Sequence, residues 1–100
     1  MRINPGVNAK KMAETLAITG LSFLASDPER LDRFLTLSGL SPGAIREVAA
    51  DPSFLAAVLD HICQDEAMLT AFAAESQHGP QEVDRARQLL GGQDWERESA

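Results

Sequence analysis

The sequence predicts an all-α fold, a compact orthogonal bundle of about six short helices, from three observations. First, four of the five prolines open the same local pattern: Pro28-x-x-Leu31, Pro42-x-x-Ile45, Pro52-x-x-Leu55 and Pro80-x-x-Val83. Second, apolar residues recur with helical rather than strand periodicity, as in Leu31, Phe34 and Leu35 or Leu55, Val58 and Leu59. Third, only five aromatics are present, Phe23, Phe34, Phe54, Phe72 and Trp95. The core must then be built from Leu, Ile, Val, Met and Ala, a set that suits helices.

Each proline sits where a helix would begin. Its missing N–H has no intrahelical partner at the first helical position, so nothing is lost there. The residues before the four prolines are Asp27, Ser41, Asp51 and Gly79, all good N-caps. Gly39, Gly79 and Gly91 follow apolar-periodic runs and are read as stops. These signals place helices over about 8–25, 28–38, 42–50, 52–63, 65–77 and 80–90, with ends uncertain by ~2–4 residues. Proline spacings of 14, 10 and 28 residues exclude a repeat of fixed period.

Core faces follow from the periodicity. Helix 1 offers Ala13, Leu16, Ala17, Leu21 and Leu24, with Gly20 permitting close helix approach. Leu55, Val58, Leu59 and Ile62 make the fourth helix the most apolar and the expected centre. The fifth offers Met68, Leu69, Phe72 and Ala73, and the sixth Val83, Ala86 and Leu90. Residues 9–91 are thus expected as the bundle, residues 1–8 as a flexible arm and residues 92–100 as a mobile tail.

Bulk composition excludes several functions. One hundred residues make one domain, and 44% hydrophobic with 24% charged residues is the balance of a globular chain. Net charge is -6, which argues against unaided binding to nucleic acid or an anionic membrane. That charge is uneven: residues 1–26 carry Arg2, Lys10 and Lys11 against Glu14 alone, and residues 27–100 carry six basic and 14 acidic residues. No apolar run approaches the ~20 residues needed to cross a bilayer. The basic residues before Leu16–Ala25 loosely imitate a secretory signal, but Glu14, Thr19, Gly20 and Ser22 dilute it. Cys63 is the sole cysteine, which fits a reducing, cytoplasmic setting.

Three constellations could carry chemistry. Residues 34–50 have helix-turn-helix spacing through Phe34, Leu35, Gly39, Leu40, Ile45 and Val48. As a DNA reader the helix after the turn would present little beyond Arg46, with Glu47 beside it. Three arginines face five acids between Asp27 and Asp51, so a plain αα-corner is the stronger reading. His61, Cys63 and Asp65 form the second group. A continuing helix would put His61 and Asp65 on one face, as the start of a metal or catalytic site. No ligand spacing of a known metal motif accompanies them, and Asp65 reads more simply as an N-cap. The third group is a possible partner surface. Ile18 and Phe23 fall off the main stripe of helix 1, and Trp95 stands alone among acids.

The run Phe23-Leu24-Ala25-x-Asp27-Pro28-Glu29-Arg30-Leu31-x-Arg33-Phe34-Leu35 resembles a small helical family of unknown function typical of alphaproteobacteria. So do Gly39-Leu40-Ser41-Pro42 and Phe54-Leu55-x-x-Val58-Leu59-Asp60, with the similarity covering about residues 10–92. His61-Ile62-Cys63 stands where a more apolar stretch is expected. The resemblance implies a short helical cytoplasmic protein without an assigned activity. The expectation is therefore a non-enzymatic interaction or regulatory domain that needs no cofactor. Its partner would be another protein or a second copy. A degenerate helix-turn-helix and a site around His61 and Asp65 are the alternatives.

Overall fold

Asp27, Asp51 and Asp65 each turn a carboxylate onto the first turn of a helix. Asp27 accepts from the Glu29 N–H at 3.0 Å, Asp51 from the Ser53 N–H at 2.8 Å and Asp65 from the Met68 N–H at 3.2 Å. Each bond satisfies a donor that the helix itself leaves unpaired. The computed structural model describes the backbone of residues 5–99 and the side chains of residues 9–91. Within it lie α1 (Pro5–Ala25), α2 (Pro28–Ser38), a 3-10 turn (Pro42–Ala44), α3 (Ile45–Val48), α4 (Pro52–Cys63), α5 (Glu66–Ser76) and α6 (Pro80–Ser99). Among the described residues there is no strand, and the fold is a small all-α bundle.

Of the three glycines expected as helix stops, Gly39 is one and Gly79 and Gly91 are not. Gly39 closes α2 in the left-handed region at φ 74°, and the Leu40 N–H returns to the Leu35 carbonyl at 3.1 Å. The same closure ends α5, but at Gln77, with φ 63° and the His78 N–H on the Ala73 carbonyl. Gly79 is instead the N-cap of α6, where the Glu82 carboxylate reaches back to its N–H at 2.9 Å. That is half of a capping box, so Gly79 works at the start of one helix rather than the end of another. Gly91 is likewise no stop, because α6 continues to Ser99. The side chains of 1–8 and 92–100, expected as arm and tail, lie outside the described residues.

The expected helix 42–50 is shorter and tighter. It is one 3-10 turn followed by four α-helical residues, and Ser41 makes no side-chain cap. Gly43 is a poor helix former, and Asp51 must be extended because proline follows it. Too few residues remain between them to build a second α-turn.

The centre is a triangle of α1, α4 and α6, which contact one another most extensively. Leu55, Val58, Leu59 and Ile62 on α4 are at most 2% exposed, which makes α4 the central helix as its apolarity implied. Gly20 lets α1 lie directly on it: a Cβ there would stand 3.1 Å from Ile62 Cδ1. Val83, Ala86 and Leu90 bury the matching face of α6. Each large apolar side chain so buried is worth roughly 1.5–3 kcal/mol of transfer free energy. α2 and α5 close the flanks, while Leu21 is only partly buried.

Candidate functional site

Most of the core stripe of α1 is covered by α4 and α6, but one edge is left open. Along that edge lie two adjoining grooves that share Met12, Leu16 and His78: one of about 230 Å³ between α1 and α6, and one of about 250 Å³ between α1, the end of α5 and the turn that follows it. Leu16, Ala13 and Ala86 are the buried floor. Met12 is 64% exposed and Leu89 39% exposed, so both keep much of their apolar surface in water. Lys11 lines one groove and Arg85 the other. Glu82 also borders the site. Its carboxyl is held below the ordinary carboxylate range, first by the Gly79 N–H and then by the His78 ring at 3.1 Å.

The surface anticipated from the sequence is placed differently. Ile18 is exposed. Phe23 is 4% exposed and belongs to the core. Its ring packs on Phe72 of α5 at 5.3 Å between centroids, and the Arg30 guanidinium sits 4.5 Å above it. The cation covers what would otherwise be an open aromatic face. Phe23 falls off the stripe that meets α4 because α1 also packs against α5, which needs a wider apolar face. The side chain of Trp95 lies outside the described residues. Met12 and Leu89 were not singled out by periodicity; their one signal was position beside, rather than within, the core stripes.

The His61, Cys63 and Asp65 group is dispersed by the fold. α4 ends at Cys63, so His61 and Asp65 do not share a helix. Asp65 turns instead to cap α5 through the Met68 N–H. His61 packs edge-on to Phe34 at 5.2 Å, and its buried Nε2 has no hydrogen-bond partner. Burial, reinforced by Arg33, pushes its pKa down; Asp65 and Asp60 oppose this. Cys63 is half-buried at the α4–α6 seam, and burial pushes its thiol up despite the nearby Arg87. Arg87 itself binds Asp84 at 2.7 Å and approaches Asp60 at 3.7 Å. Among the described residues no three His, Cys, Asp or Glu side chains converge so as to hold a metal ion.

The hairpin at 34–50 keeps its apolar spacing, with Leu40, Ile45 and Val48 packed against the core. Its second arm, however, is the 3-10 turn and the four residues of α3. Seven residues rise only about 12 Å, short for an element that must lie along a major groove.

The model of a family described as a protein of unknown function, DUF3572, matches residues 10–93. The chain belongs to this family. The DUF3572 match spans α2 to α5 completely, most of α1 and the groove wall of α6. No curated protein and no solved structure is detectably similar to the chain. None of the described helices is long and apolar enough to cross a membrane.

Proposed function

We propose that this DUF3572 protein is a small, non-enzymatic protein-interaction domain whose working surface is the groove between α1 and α6. The observation that carries this reading is the exposure of Met12 and Leu89 on either side of a buried apolar floor. Two large apolar side chains left exposed along one seam favour association, because covering them removes apolar surface from water. The groups that could have served catalysis are committed elsewhere. Asp65 caps a helix, His61 is wedged against Phe34 and Cys63 is a thiol shifted away from its reactive form. A reducing bacterial cytoplasm is the setting that suits the single half-buried Cys63.

Affinity capture with the full chain as bait, beside a Met12→Glu and Leu89→Glu double variant, tests the reading. A defined partner retained by the wild type and lost by the variant is the expected result. Equal retention by both chains, or no specific retention by either, would overturn it.

A further inference from the structure

We propose that the α1–α6 groove receives the acidic, Trp95-bearing segment of a second copy of this chain, residues 93–98. The inference rests on the interaction reading above and names the partner for it. The groove is lined by Met12, Leu16 and Leu89 with Arg85 beside them, and it continues past Met12 and Leu16 into the adjoining groove, where Lys11 stands. The carboxylate beside Arg85, Glu82, is engaged by the Gly79 N–H and His78. The chain as a whole carries -6, so two copies repel over most of their surfaces. Arg85 also acts on Glu82, which leaves Lys11, Arg85 and Glu82 together with a net positive charge that acidic residues of a second copy would complement.

The sequence brings it at one place. Asp94-Trp95-Glu96-Arg97-Glu98 sets the single tryptophan of the chain among three carboxylates. Tryptophan is the side chain most enriched at energetic centres of interfaces, since one rigid ring covers a large apolar area. Its neighbours supply the charge that steers such a ring to a basic rim and fixes its register. The donor is a second copy rather than the same one. Residues 82–89 of α6 are themselves a wall of the groove, and α6 runs on to Ser99 without a break. Six helical residues carry the chain about 9 Å along the axis from Leu89 to Trp95, past its own groove and not across it.

Sedimentation of the full chain over a range of concentrations, with a labelled peptide of residues 92–100 titrated into full-length Trp95→Ala protein, tests this. Expected are concentration-dependent dimers for the wild type, monomers for Trp95→Ala, and peptide binding that weakens with added salt. Leu89→Glu and Lys11→Glu should each weaken the peptide by about tenfold. Met12 and Lys11 are exposed, so Met12→Glu and Lys11→Glu leave the fold intact by circular dichroism and serve as the second variants. A wild type monomeric throughout overturns the inference, as does peptide binding indifferent to all three substitutions. A tail that folds onto its own groove overturns it as well, and is recognised by a Leu89→Glu effect on Trp95 fluorescence that does not depend on concentration. If self-association is absent while a different protein is still captured through Met12 and Leu89, this inference fails and the interaction reading stands.

Discussion

His61 of α4 meets Phe34 of α2 edge-on, with ring centroids 5.2 Å apart and planes inclined at 62°. Phe54, two helical turns before His61, meets the same Phe34 at 5.9 Å. The two α4 rings thus grip one α2 ring, which adds to the packing of α2 against α1. The imidazole contributes shape here, since its buried Nε2 has no polar partner. A charge on that ring would be desolvated and would face Arg33.

This sets a pH dependence. The folded state holds His61 below the ordinary imidazole pKa, so the unfolded chain binds the proton more readily. Stability is therefore full above the unfolded value of about 6.5 and falls as pH drops through it, until the lowered folded pKa is passed. Urea midpoints measured from pH 8 to pH 5 should decline for the wild type and decline less for His61→Gln. Parallel profiles for the two chains would show that His61 carries no linkage.

Gln77 is the one described non-glycine residue with positive φ. A Cβ in the left-handed region costs roughly 1–2 kcal/mol, and glycine removes that cost. Gln77→Gly should stabilise the protein by about 1 kcal/mol and raise Tm by about 5 °C. Gly39→Ala, at φ 74°, should act in the opposite direction by a similar amount. Thermal melts followed at 222 nm check both signs.

Gly20 tests the α1–α4 contact. Its nearest neighbours, Ile62, Val58 and Leu59, are all fully buried and have no free space to move into. Gly20→Val should destabilise by about 2 kcal/mol or more, despite the better helix propensity of valine over glycine. Gly43→Val, where nothing lies within 4 Å, serves as the control for the glycine change itself. Equal losses at the two sites would remove the close-packing argument.

Cys63 should react slowly. Burial raises its pKa, Asp84 and Asp60 add to the rise, and Arg87 only partly offsets them. The thiolate is the reacting species, so at pH 8 a disulfide reagent should modify native Cys63 about tenfold more slowly than the urea-unfolded chain. Arg87→Ala should slow the native reaction further, since it removes a neighbouring cation that lowers the Cys63 pKa.

Much of this bundle was legible in local sequence. α2 and α4 begin and end where Asp-Pro pairs and apolar spacing placed them, and the core faces of α4 and α6 are the predicted ones. Misreadings arose where one residue type serves two roles. Gly79 precedes a proline and follows a helical run, and glycine suits both a stop and an N-cap. The Glu82 bond to its N–H decides between them, which periodicity does not register. His61 and Asp65 have the spacing of one helix face, yet Asp65 is also a good N-cap, and capping won.

By itself the amino-acid sequence determined the all-α class, most helix starts and the residues that face the centre. Caps, proline placement and apolar period all act within about four residues of where they are read. Tertiary structure alone decided which of the remaining apolar side chains would be covered. Phe23 and Met12 both lie beside the main stripe of α1 on the same helix. α5 and Arg30 close over Phe23, while Met12 is left exposed between α1 and α6. That difference depends on which distant helix lands alongside, and it is what leaves the chain with an open apolar groove.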